Sequence, residues 1–275
     1  MTKVIVVTSG KGGVGKTTTS ASIAAGLAME GYKTALIDFD IGLRNLDLVL
    51  GCERRVVYDF INVINGEAKL NQAFIRKDKN KLSNLYFLAA SQSADKTALT
   101  TEGVEKIINE IKEEHFDYVI CDSPAGIEEG AQHAMYFADE AIIVVNPEIS
   151  SVRDADKIIG FLDAKTEKAK RNEELKKHLL ITRYDSKRVD NQEMLSIEEI
   201  QDILKIDVIG VIPETDKVIT YSNNGEPVIL SSEDKKNPYA GLAYEDVIKR
   251  LNGENIGLRY LTIPGKSIFN KIFGG

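Results

Sequence analysis

Near the start of the chain the apolar, β-branched run Val4-Ile5-Val6-Val7 leads into Gly10-Lys11-Gly12-Gly13-Val14-Gly15-Lys16-Thr17, and then into a stretch of small, helix-compatible residues from Thr18 to Leu27. The glycines at positions 10, 12, 13 and 15 suit neither a strand nor a helix interior, so the chain must turn sharply between a buried strand and a helix. Backbone N–H groups of such a loop, set at a helix N-terminus, form a cradle for an anion. Lys16 supplies charge to β and γ phosphate oxygens and Thr17 a hydroxyl to Mg2+, with Thr18 entering the helix behind them. The order strand, loop, helix separates a phosphate-binding loop from an ordinary glycine-rich turn, so residues 10–18 imply a bound nucleoside triphosphate. Lys11 adds a second cation at the start of the loop. It is either a solvated lysine or a residue aimed away from its own nucleotide, at a neighbouring molecule's triphosphate.

Further β-branched runs recur at Thr34–Asp38, Leu85–Ala89, Tyr118–Asp122, Ala141–Val145, Leu179–Thr182 and Val208–Ile212, alternating with helix-period segments. Among the latter, Val104, Ile107, Ile108 and Ile111 form one apolar helical stripe. Strands apolar at nearly every position need helices on both faces. The expected fold is α/β, a doubly wound, mostly parallel sheet in a three-layer sandwich, with its ligand at the carboxyl ends of the strands. Residues 1–254 are expected to form this domain, closed by Asn252-Gly253-Glu254-Asn255, with 255–264 a linker and 265–275 an amphipathic tail.

A chain of 275 residues can bury a full core, and its net charge of -7 argues against neutralising nucleic-acid phosphates by bulk charge. Cys52 and Cys121 lack C-x-x-C spacing and read as core or near-core residues, while His115, His133 and His178 lack metal-ligand spacing. The N-terminus carries no charged-then-apolar signal, and no apolar run approaches the ~20 residues that span a bilayer, so a cytoplasmic protein is expected.

Acids stand where a nucleotide's phosphates would lie. The second run ends in Asp38-Phe39-Asp40 and the Tyr118 run in Asp122. Phosphoryl transfer asks a protein for positioning and charge compensation, which assigns Asp38 and Asp122 to Mg2+ and Asp40 to the attacking water. A strand-end acid capping the next turn is the plainer alternative for Asp38. Ser123-Pro124-Ala125-Gly126-Ile127 is either a surface turn or a switch that feels the γ-phosphate. Arg183, Pro213 and Glu214, at the ends of two later strands, are expected around the base, although strand-end Arg and Pro also occur without any ligand.

In the tail, Ile268, Phe269, Ile272 and Phe273 share one helical face, with Lys266 and Lys271 off it. This reads as a membrane-surface helix or as a docked terminal helix. Burying four such side chains is worth roughly 6 to 12 kcal/mol at most, and ordering the segment costs about as much. One tail therefore binds marginally, whereas two in a dimer gain effective concentration.

The phosphate loop with its second lysine, the segment Asp38-Phe39-Asp40-Ile41-Gly42-Leu43-Arg44-Asn45-Leu46-Asp47, the run Cys121-Asp122-Ser123-Pro124-Ala125-Gly126 and the Ile-Phe-Gly-Gly terminus together resemble the septum-site-determining ATPases of the MinD/ParA family, whose Walker A motif is deviant. The resemblance covers essentially the whole chain. It implies a Mg2+-dependent ATPase in which Lys16 and Thr17 hold phosphate and metal, Asp40 supports hydrolysis, and Lys11 reaches across an ATP-bound homodimer. It also implies a terminal helix on anionic lipids at the cytoplasmic face of the inner membrane, the division inhibitor MinC as a partner, and MinE as the partner that stimulates hydrolysis and release. Glu148, Ser150 and Asp154 lie in a segment that resembles the family's partner-contact region, and they also read as an N-cap and first helical turn. A flagellar-number regulator, a DNA-partition module and a nucleotide-gated scaffold are the other classes that share parts of this pattern.

Overall fold

Successive residues of a strand face opposite sides of a sheet, and here both sides are apolar. In β1 (Lys3–Thr8), Val4 and Val6 enter one core while Ile5 and Val7 enter the other. The computed structural model describes residues 2–77 and 82–261, without the side chain of Lys96. The further strands are β2 (Thr34–Asp38), β3 (Ile75–Arg76), β4 (Leu85–Leu88), β5 (Tyr118–Asp122), β6 (Glu140–Val145), β7 (Lys176–Tyr184) and β8 (Val208–Pro213). They form one sheet in the order β3-β4-β2-β5-β1-β6-β7-β8, parallel except for β3, which runs antiparallel to β4. All seven expected strands are present. The two-residue β3 was not anticipated, because so short an edge strand carries no periodic signal.

The helices in chain order are α1 (Lys16–Met29), α2 (Leu46–Val49), α3 (Phe60–Ile64), α4 (Leu70–Ala73), α5 (Thr101–Glu113), α6 (Glu129–Tyr136), α7 (Ile149–Lys165), α8 (Glu167–Lys170), α9 (Ser186–Asp190), α10 (Ile197–Leu204), α11 (Asp216–Asn223) and α12 (Tyr239–Leu251). One face of the sheet packs on α1 and α12 through Ala21, Ala24, Leu27, Tyr244, Val247 and Ile248. The other packs on α5, α7 and α10, where the expected stripe Val104, Ile107, Ile108 and Ile111 is buried beside Val152, Ile158 and Ile200. This is the expected doubly wound sandwich. β1 lies between β5 and β6, so the chain winds to opposite sides of it before and after that point. A ligand crevice opens at the carboxyl ends of the strands at such a switch point, and the loop after β1 opens there.

At the opposite sheet edge the Glu140 carboxylate is buried between Lys3 Nζ, at 2.9 Å, and His178 Nε2, at 2.8 Å. Burial alone would raise its pKa, but the His178 and Lys3 contacts outweigh that and hold it at about 2. Past α12, part of the expected linker packs back on the domain. Arg250 donates to the carbonyls of Ile256, Gly257 and Ile209 at 3.0, 2.6 and 2.8 Å, and Arg259 Nε bonds Asp246 Oδ2 at 2.8 Å. The amphipathic tail with Ile268, Phe269, Ile272 and Phe273 lies outside the described residues. Among the described residues no helix is long and apolar enough to cross a membrane.

The depressed Glu140 pKa sets an acid limb. Its contribution to stability is complete above the ordinary value of 4.5 and is lost as pH falls through about 2. Chemical denaturation of Glu140→Gln is expected to show a loss of about 2 kcal/mol at pH 7 and a shallower fall in stability below pH 4.5 than the parent chain shows.

Candidate nucleotide site

The loop between β1 and α1 is shaped by two glycines for different reasons. Gly15 caps α1 at φ +98°, a left-handed conformation that side chains disfavour. Gly10 has no room for a side chain, since a Cβ there would sit 2.3 Å from the backbone carbonyl of Asp154 in α7. The loop and α1 line a cavity of about 430 Å³, closed by Thr182 and Arg183 from β7, Pro213 and Glu214 at the end of β8, Val218 and Ile219 from α11, and Tyr244 from α12. Gly13, Val14, Gly15, Lys16, Thr17 and Thr18 all border this cavity, as do all three residues expected around the base.

Beneath the loop lies a buried ionic cluster. Asp38 and Asp122 are register neighbours at the carboxyl ends of β2 and β5. Burial first, and then the charge of Asp122, hold the Asp38 carboxyl well above the usual range. Burial raises Asp122 to about 6 against the Ser20 and Thr17 hydroxyls and the Lys16 charge, all of which favour its ionised form. Ser20 Oγ donates to Asp122 Oδ1 at 2.6 Å. Lys16 is itself buried, and desolvation lowers its ammonium pKa against the pull of Asp122 and Asp40. Asp38 Oδ1 accepts the Asp40 N–H at 2.9 Å, while Asp38 Oδ2 is buried and among the described residues has no hydrogen-bond partner of good geometry. Two buried carboxyl groups, one with an orphaned oxygen, beside a threonine hydroxyl form a hard-oxygen donor set of the kind that a divalent cation would complete. Mg2+ characteristically takes one or two carboxylates and fills its shell with phosphate oxygens and water.

Asp40 opens the turn that leaves β2, its carbonyl accepting the N–H groups of Leu43 and Arg44 at 3.2 and 3.1 Å. It also borders a second cavity, of about 200 Å³, with Pro124, Glu128 and Glu129. Lys11 is turned away from the main cavity. Its ammonium bonds Glu148 Oε2 at 2.8 Å and Ser150 Oγ at 3.2 Å, which holds the Glu148 carboxyl below its ordinary pKa. The loop's second lysine therefore grips the N-terminus of α7 at its cap Glu148 and at Ser150, with Asp154 one turn further along the helix. Asp154 also bonds Lys157 at 2.9 Å.

Sequence reasoning missed Ser20, Val218, Ile219 and Tyr244, and it placed Thr182 only as part of a strand-end segment that could line the base pocket. Ser20 stands one helical turn after Lys16, so the α1 period could have found it. Thr182 and Tyr244 reach the site only through β7 and α12, and Tyr244 is held there by a buried bond between its hydroxyl and Thr19 Oγ1 at 2.9 Å.

A strand, a glycine loop capping a helix, a buried lysine and paired strand-end carboxylates at a sheet switch point define a P-loop nucleoside triphosphatase. The family described as CbiA, the CobQ/CobB/MinD/ParA nucleotide binding domain, matches residues 5–228. The septum site-determining protein MinD of Neisseria meningitidis is 62% identical over the full length of both chains. The MinC:MinD cell division protein complex of Aquifex aeolicus superposes with a TM-score of 0.81 at 43% identity, covering 94% of this chain and 98% of that one. The septum site-determining protein MinD complexed with Mg-ADP from Pyrococcus horikoshii gives 0.78 at 28% identity, covering 92% and 97%. The chain belongs to the MinD septum site-determining proteins of this family and is a nucleotide-binding ATPase of division-site placement.

Neutralising one buried carboxylate separates folding from binding. Asp38→Asn is expected to raise the Tm of the ligand-free chain by about 2 to 4 °C, equivalent to about 1 kcal/mol. The same variant should lose the Mg2+-dependent part of ADP affinity, measured by calorimetry with and without EDTA.

Proposed function

We propose that this ATPase is a membrane switch whose nucleotide is ATP with Mg2+. The observation that carries the reading is the cluster of Lys16, Thr17, Asp38 and Asp122 beneath the phosphate loop, joined through Lys11 to Glu148 and Ser150 on α7. Thr17, Asp38 and Asp122 would hold Mg2+, which would supply charge neutralisation to the phosphates. Gly10 to Thr18 would hold the phosphates, Lys16 would meet the charge that develops in transfer, and Asp40 would position the attacking water. Arg183, Pro213 and Glu214 would border the base.

In this reading residues 1–254 are the ATPase domain, 255–264 join it to the tail, and 265–275 bind the membrane through Ile268, Phe269, Ile272 and Phe273. ATP builds a homodimer in which Lys11 reaches the partner's nucleotide. To do so it must leave Glu148 and Ser150, which frees the side chains of two of the residues proposed, with Asp154, for partner contact. ATP binding is thereby linked to recruitment of MinC, a partner supported by the MinC:MinD complex among the structural relatives. MinE-stimulated hydrolysis returns monomers from anionic lipid at the cytoplasmic face of the inner membrane to the cytoplasm.

Co-sedimentation with anionic vesicles tests the switch. The full chain is expected to pellet in ATP and remain in solution in ADP, and a chain lacking residues 265–275 to stay soluble in both. Equal pelleting in the two nucleotides would sink the reading. Asp40→Ala is expected to cut stimulated ATP turnover by at least about a hundredfold while vesicle binding in ATP persists. Normal stimulated turnover would remove Asp40 from the chemistry.

A further inference from the structure

We propose that Thr182 is a positioning residue for the phosphate loop, its hydroxyl holding the Val14 carbonyl turned away from the nucleotide. The inference rests on the cavity above being the nucleotide site. Thr182 is only 5% exposed, near the end of β7, and its Oγ1 donates to Val14 O at 2.6 Å. The same oxygen lies 3.2 Å from Val145 O at the end of β6, so the side chain is wedged between the loop and the neighbouring strand. A hydroxyl has one proton, and the shorter distance gives it to the loop.

A loop that grips an anion through N–H groups must keep its carbonyl oxygens out of the cradle, where they would repel phosphate. Every carbonyl turned outwards into the protein then needs a donor. Val14 is 1% exposed, and the donor to its carbonyl is Thr182. The Val14–Gly15 peptide is planar, with its C=O and N–H pointing in opposite directions. Anchoring the oxygen on β7 therefore also fixes the direction of the Gly15 N–H. Gly15, at φ +98°, is a residue whose backbone would otherwise turn freely.

The end of β7 is irregular beside this contact. Arg183 adopts φ +53°, disfavoured for a residue with a side chain, and the pairing with β8 shifts register between Ile181 and Tyr184. Strain of this kind gathers at binding sites. Here it falls on the residue next to the tether.

Three variants of the full chain test the proposal, with Mg-ADP titrated by calorimetry and KM and kcat taken from ATP hydrolysis. Thr182→Val, which keeps the branched shape and loses the donor, is expected to raise the ADP Kd and the ATP KM about tenfold, equivalent to about 1.4 kcal/mol. Its kcat at saturation should stay within about twofold of the parent's, since the tether acts on binding and touches no reacting atom. Thr182→Ser, which keeps the hydroxyl, should restore both constants. Thr182→Cys, a weak donor, should fall between, and it provides the reading if the valine variant does not fold. Parental ADP affinity in Thr182→Val or in Thr182→Cys, or failure of Thr182→Ser to recover affinity, would overturn the inference. A parent chain that binds neither ADP nor ATP would instead overturn the nucleotide reading on which it rests.

Discussion

The site depends on two acidic groups that the sheet forces together, where neither ionises freely beside the other. Parallel pairing of β2 with β5 sets Asp38 beside Asp122 at buried strand ends, where neither carboxylate can be solvated. Lys16, Thr17 and Ser20 partly compensate Asp122, and Asp38 keeps an orphaned oxygen. A protein tolerates such an arrangement when something that binds there relieves it. Ligand-free stability is thus lower than the same fold would have with neutral residues at those positions.

The phosphate loop is held from several directions. Thr182 holds it from β7, the α7 backbone abuts Gly10, and Lys11 grips Glu148 and Ser150. Contact between loop and helix is so close at Gly10 that neither can shift without disturbing the other. A helix bearing surface residues is in this way mechanically joined to the nucleotide cradle, and interfaces packed this tightly move between discrete arrangements rather than by gradual deformation. Lys11 is the one element of the joint that a nearby anion could recruit away, because its partners are exposed and its stem is long.

Much of this was legible in the order of residues. The β1, loop and α1 unit was readable because turn chemistry, apolar run and helix start lie within one short stretch, and the α5 stripe because its period is local. Asp38, Asp40 and Asp122 were visible as acids ending apolar runs. The two-residue β3 was not, and the docking of residues 255–261 was not, since it rests on Arg250 and Asp246 receiving groups whose attraction has no local pattern. The orientation of Lys11 was open between solvent and a neighbouring molecule, and the fold gives a third answer, a pairing with α7 in its own chain.

By itself the sequence determined the layers, the phosphate loop and which acids end strands, because periodicity, glycine conformations and strand-end polarity act over a few neighbouring residues. Only the tertiary structure decided that Asp38 and Asp122 share a buried site, that Thr182 tethers Val14, that Tyr244 closes the cavity from α12, and that Lys11 rests on Glu148. Each of those depends on strand order and helix packing, which bring together residues far apart in the chain. Contacts of that kind are set by the free energy of filling a whole core, and no short segment carries that information.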